Sequence, residues 1–148
     1  MMEKQSETFT RATPLKQVMT TRLITLDWGA KTSLADSLMR HHTVHHLPVV
    51  KEGRLMGLVS QNDLYRNMLS FFFVETETEQ EEFLDSFLDI PSIMTPDPLT
   101  LTPEDTLAQA LTLMMEKRVG CVPIVDAANV LVGIITESDM LRLLNQVL

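Results

Sequence analysis

Two four-residue stretches combine a hydroxyl and a carboxylate at one spacing: Ser60-Gln61-Asn62-Asp63 and Thr136-Glu137-Ser138-Asp139. A hydroxyl both donates and accepts, whereas an ionised carboxylate only accepts. At a helix start the pair reads as a capping box with Asp in place of Glu or Gln, worth about 1 kcal/mol without any ligand. His41, His42, His45 and His46 invite a metal reading, since histidines at i and i+4 of one helix can ligate zinc. Leu47-Pro48-Val49-Val50 reads as a strand, however, so the helix ends near His42 or Thr43 and the four lose a shared face. No metal set is expected. Cys121 has no His or acid partner near it in sequence and is not expected to be a nucleophile. With no P-loop and no nucleophile–base pair, no catalytic residue is assigned and the chain does not read as an enzyme.

The 148 residues suit one compact domain or two small units sharing a core, and 45% apolar residues suffice to build it. A single cysteine excludes a disulfide framework and fits a reducing compartment. No apolar stretch approaches the roughly 18 residues of a membrane span, and Met1–Glu7 lacks a signal-peptide apolar region, so a cytoplasmic location is expected. Net charge is −8, unevenly placed. No Lys or Arg occurs from Asn67 through Glu116, which holds 11 of the 20 acids. That balance argues against nucleic acid, whose binding runs on phosphate neutralisation, but not against a small anion bound elsewhere.

The elements that must position the two boxes are repeated. Val18-Met19-Thr20 matches Ile93-Met94-Thr95 and Leu47-Pro48-Val49-Val50 matches Val122-Pro123-Ile124-Val125, both at an offset of 75. Gly57-Leu58-Val59-Ser60 through Leu64 matches Gly133-Ile134-Ile135-Thr136 through Met140 at 76, with one residue added in the intervening turn. Such a constant offset marks a duplicated folding unit. Copies of about 55 to 60 residues are marginal alone and should pack on each other.

Each copy reads strand, helix, strand, strand, helix. Leu23–Leu26 and Pro98–Leu101 are the leading strands. One helix opens near Ser33 and carries Leu34, Ala35, Leu38 and Met39. The other opens with Thr102 as N-cap and Pro103 in its first turn, and carries Leu107, Ala110, Leu111, Met114 and Met115. Hairpins turn at Lys51–Arg54 and Asp126–Asn129, and closing helices start near Gln61 and Glu137. Residues 1–14 read as a tail, 15–70 and 91–148 as the repeats. Residues 71–90 read as an acidic and aromatic linker helix, with Phe71-Phe72-Phe73 and an apolar face of Phe83, Leu84, Phe87 and Leu88.

Gly-h-h-Ser/Thr-x-x-Asp occurs twice, each time after h-Pro-h-Val (h, apolar). In that order and number the motifs resemble the cystathionine beta-synthase (CBS) domain family. The resemblance implies an α/β (α+β) fold of tandem βαββα repeats about a pseudo-twofold axis, with two clefts between them. It implies an adenine nucleotide, AMP, ADP, ATP or S-adenosylmethionine, as a regulatory ligand rather than an obligatory cofactor. It also implies a homodimer, and a partner enzyme or transporter outside this chain. Carried onto these residues, Ser60, Asp63, Thr136 and Asp139 would meet ribose and phosphate. Thr20, Leu23, Ile24, Val44, His45 and His46 would face Thr136 and Asp139, the histidines within reach of phosphate. Thr95, Pro98, Leu99, Val119, Gly120 and Cys121 would face Ser60 and Asp63, with Gly120-Cys121 a poorer phosphate partner. The alternative is an interaction module with no nucleotide bound, working through its aromatic and acidic insert.

Overall fold

The computed structural model describes residues 8–67, 76–79, 82, 85 and 88–148. Its elements are β1 (Leu26–Asp27), α1 (Thr32–His42), β2 (His46–Lys51), β3 (Arg54–Ser60) and α2 (Gln61–Asn67), then α3 (Ile90–Ile93), β4 (Thr95–Pro96), α4 (Leu107–Lys117), β5 (Cys121–Val125), β6 (Leu131–Thr136) and α5 (Glu137–Val147). A 3-10 turn at Leu15–Gln17 precedes them. The repeated order of elements follows the sequence periodicity. Both closing helices start where expected, at Gln61 and Glu137, and α1 ends at His42 with Thr43 as its left-handed C-cap.

Three features differ from expectation. The leading strands shrink: β1 pairs in parallel with Val49 and Val50, and its counterpart is a single parallel bridge from Leu101 to Ile124. Pro98 has no N–H to give a ladder, and Leu23 and Ile24 pack against the apolar clusters of the cores instead. Helix α4 starts four residues later than expected. Residues 102–105 close as a turn in which the Thr102 N–H donates to the Asp105 carboxylate at 2.7 Å. Thr106 and Gln109 then form the complete capping box. Finally, short helical turns at Leu15–Gln17 and Ile90–Ile93, too brief to show periodicity, precede the Met-Thr pairs.

Those turns exchange partners. Leu15 is buried with Leu107, Val122 and Ile135 in the second repeat's core, whereas Ile90 and Ile93 are buried with Leu47, Val59 and Leu64 in the first. The Met-Thr segments cross in the same way. Thr20 bridges Ile134 on β6, and Thr95–Pro96 pairs with Leu58 and Gly57 on β3. Glycine at 57 and 133 permits the crossing, because a Cβ on Gly133 would strike the Met19 sulfur and one on Gly57 would lie 2.8 Å from the Thr95 carbonyl oxygen. The hairpins meet reciprocally, Leu55 N–H donating to Asn129 O at 3.0 Å and Leu131 N–H to Gly53 O at 3.1 Å, as an approximate twofold axis requires.

Phe71-Phe72-Phe73, Phe83, Leu84 and Phe87 lie outside the described residues. Asp85 is described, and its carboxylate accepts both the Ser33 N–H and the Ser33 hydroxyl at 3.0 Å, capping α1 from the intervening segment. Lys31, the residue before α1, contributes no side-chain cap of its own.

Candidate functional site

Both Ser/Thr-x-x-Asp quartets start helices, and both are reciprocal capping boxes. The Ser60 N–H donates to Asp63 Oδ2 at 2.8 Å and the Asp63 N–H donates to Ser60 Oγ at 3.0 Å. In the second repeat the corresponding distances, Thr136 N–H to Asp139 Oδ2 and Asp139 N–H to Thr136 Oγ1, are 2.9 and 3.2 Å. The boxes then diverge. Asp139 is buried and also accepts the Thr20 hydroxyl at 2.9 Å and the Arg142 guanidinium at 2.8 Å. Thr95 makes no matching bond to Asp63 among the described residues.

The second box opens on a cavity of about 290 Å³ between the repeats. Thr20, Leu23, Ile24, Val44, His45 and His46 line it from the first repeat, and Thr136 and Asp139 from the second. These eight are the residues the resemblance groups together. The volume sits near the lower end of small-molecule sites, roughly 300 to 1,000 Å³. The walls are apolar at Leu23, Ile24, Val44 and Pro48 and polar where Thr136, Glu137, Ser138 and Asp139 open α5. That division suits a ligand with one flat apolar part and one hydroxyl-rich or anionic part, because helix-start amides favour anions.

Residues assigned to the other cleft are dispersed differently. Gly120 lines the cavity just described, with room for a Cβ limited by His46 Cε1 at 3.3 Å and the Glu137 carboxyl carbon at 3.4 Å. Cys121 is buried on β5 opposite Thr136 of its own repeat. Burial, with the Asp139 charge nearby, pushes its thiol up to about 12, so it is an uncharged packing group. Thr95 lies beside Leu58 on the sheet edge, and Leu99 is exposed.

Three charged groups in or beside the cavity escaped sequence reasoning. Arg22 and Glu137 line it. Arg22 stands two residues beyond Thr20, and its counterpart at the offset of 75 is Asp97, so the duplication alone hides it. Arg142 holds the Asp139 carboxylate. The extended pattern Ser60-x-x-Asp63-x-x-Arg66 and Thr136-x-x-Asp139-x-x-Arg142 was there to find it.

His46 sits between groups of both repeats. Its burial, reinforced by neighbouring His45, holds the imidazole below its usual 6.5, against the opposing pull of Glu137 and Asp63. It is therefore neutral near pH 7, and the positive charge expected for a phosphate contact is not resident there before a ligand arrives. The unfolded chain binds this proton more readily than the folded one. The stability it contributes is complete above about 6.5 and is lost as pH falls through the lower folded-state value. Unfolding free energy is expected to fall between about pH 7.5 and 5.5, and His46→Gln is expected to flatten that fall. Denaturant melts across the range check this, and an unaltered slope in the variant contradicts it.

Two βαββα repeats about a twofold axis, with exchanged leading segments and a hydroxyl–carboxylate box opening on the cleft, define a tandem ligand-cleft module. The CBS domain profile matches residues 15–70 and 89–146, and the chain belongs to the CBS domain family. A CBS domain-containing protein of Dictyostelium discoideum is 32% identical over 135 residues, covering 90% of this chain and 92% of that one. A homoserine O-acetyltransferase of Methanococcoides burtonii is 31% identical over 92% of this chain, which spans 25% of that longer enzyme. Among solved structures, CBSX2 in complex with AMP has a TM-score of 0.74 at 26% identity, covering 90% of this chain and 97% of that one. The CBS domain pair of MJ0100 in complex with 5′-methylthioadenosine and S-adenosyl-L-methionine has a TM-score of 0.72 at 25% identity, covering 89% and 99%. No described helix is long and apolar enough to cross a membrane.

Proposed function

We propose that this chain is a non-enzymatic regulatory module, which binds an adenine nucleotide or S-adenosylmethionine in the cleft between its repeats and passes the bound state to a partner enzyme or transporter. The observation that carries the reading is the cavity joining Thr20, His45 and His46 to Thr136 and Asp139 across the two repeats. The complexes of CBSX2 with AMP and of MJ0100 with 5′-methylthioadenosine and S-adenosylmethionine support the ligand class. Asp139 would take the ribose hydroxyls, the Ser138 N–H at the start of α5 and Arg22 the phosphate, and Leu23, Ile24 and Val44 the base. Ligand works by favouring one arrangement of the repeats, since an equilibrium shifts only by a difference in affinity between states. The reducing cytoplasm is the setting this reading assumes.

Calorimetric titration with AMP, ADP, ATP and S-adenosylmethionine tests it. A bound ligand at a hundredfold excess over Kd adds about 2.7 kcal/mol of stability, visible as a raised Tm. No heat and no thermal shift with any of the four would leave the interaction module as the better account.

We also propose a homodimer. Leu141, Leu144 and Val147 are 67%, 49% and 60% exposed along one side of α5, and Tyr65 is 54% exposed at the position matching Leu141 in α2. Light scattering at micromolar concentration is expected to report twice the chain mass, and Leu141→Glu with Leu144→Glu to return it to one. A monomer mass for the unaltered chain overturns the dimer.

A further inference from the structure

We propose that Arg142 is a lock on the carboxylate of the inter-repeat cleft, and that a ribose must displace it to bind. The inference rests on the nucleotide reading above. Asp139 is 3% exposed and its acceptor positions are already filled. Oδ2 accepts the Thr136 N–H at 2.9 Å and the Thr136 hydroxyl at 3.1 Å. Oδ1 accepts the Thr20 hydroxyl at 2.9 Å and Arg142 Nη2 at 2.8 Å. A carboxylate offers about four such positions, so none is left for the vicinal hydroxyls of a ribose.

The four donors are not equally able to leave. The Thr136 bonds are the cap of α5 itself. The Thr20 backbone is held to Ile134 by hydrogen bonds in both directions, at 2.9 and 3.0 Å, so only its hydroxyl can turn away. The Arg142 side chain is 56% exposed and reaches Asp139 from one turn further along α5. It also borders a separate cavity of about 470 Å³, walled by Phe9, Thr13, Gln17 and Gln146, into which a released guanidinium can withdraw. The first repeat is built without the lock. Arg66 stands in the matching place after Asp63, yet makes no bond to that carboxylate among the described residues.

The sign of the effect is diagnostic. Removing a cation beside an anion site ordinarily weakens anion binding, whereas removing a lock strengthens it. The experiment titrates AMP and 2′-deoxy-AMP into the unaltered full chain and into Arg142→Ala, Arg142→Lys and Arg66→Ala, with thermal melts to establish that each is folded. AMP is expected to bind Arg142→Ala more tightly, by up to about fivefold, the range open to a half-exposed ion pair. Arg142→Lys is expected to fall between, and Arg66→Ala to match the unaltered chain. The gain should be smaller for 2′-deoxy-AMP, which seats one hydroxyl fewer. AMP binding to the unaltered chain with equal or weaker affinity in folded Arg142→Ala and Arg142→Lys overturns the lock and leaves the nucleotide reading standing. AMP binding to none of the chains overturns both.

Discussion

Asp139→Ala is expected to cost both ligand affinity and fold stability, and Asp63→Ala distinctly less of each. The carboxylate of Asp139 receives donors from Thr20, Thr136 and Arg142 and is 3% exposed. Truncating it leaves the Thr136 N–H and the Thr20 hydroxyl without their acceptor in a part-buried site, where each unmatched group costs about 1 to 3 kcal/mol. It also removes the acceptor a ribose needs, for an affinity loss of about tenfold or more. At Asp63 the loss is that of a helix cap, about 1 kcal/mol. Denaturant melts report the stability difference, and AMP titration reports the other. Asp139→Asn keeps the shape and tests whether the charge matters, since an amide can accept at only one of its two positions. Equal losses at Asp63 and Asp139 would contradict the asymmetry that Thr20 and Arg142 create.

The second large effect concerns the glycines where the leading segments cross. Gly57→Ala is expected to destabilise by about 2 to 3 kcal/mol and Gly133→Ala by about 1 kcal/mol, within the range for overpacked cores. The difference follows from what each new methyl group meets. At Gly57 it meets Met94 and also the Thr95 carbonyl oxygen at 2.8 Å, and that oxygen belongs to a backbone paired with β3. At Gly133 the three nearest atoms all belong to the Met19 side chain, which is flexible and can rotate aside. Chemical denaturation measures both. Met19→Ala combined with Gly133→Ala should cost less than the sum of the two single changes, because the smaller residue removes the collision. Additive losses would mean that the crossing is not what the glycine serves.

The order of elements was legible in the sequence because duplication writes each element twice. Leu47–Val50 and Val122–Val125 support one another as strands, and Ser60-x-x-Asp63 and Thr136-x-x-Asp139 support one another as helix starts. Helix α4 was misplaced by one turn because Thr102-Pro103-Glu104-Asp105 and Thr106-x-x-Gln109 both carry start signals. The first closes instead as a turn whose Pro103 and Asp105 carbonyls accept the Lys16 and Leu15 N–H groups, and the second caps the helix. The three-residue turn at Leu15–Gln17 and the four-residue helix at Ile90–Ile93 carry no periodicity to read.

By itself the sequence determined the repeat, written in a constant offset of 75 to 76, and most of the strands and helices within it and the chemical types brought to the boxes, which depend on spacing over a few residues. The tertiary structure alone decided which box is enclosed. Thr20 and Asp139 are 119 positions apart, and they meet only because the first Met-Thr segment lies against β6 rather than its own repeat. Local pattern cannot show that Arg142 holds its carboxylate while Arg66 does not, or that Gly120 lets His46 and Glu137 line one cavity. Such differences arise from long-range packing, in which two copies of one motif are placed in unequal surroundings.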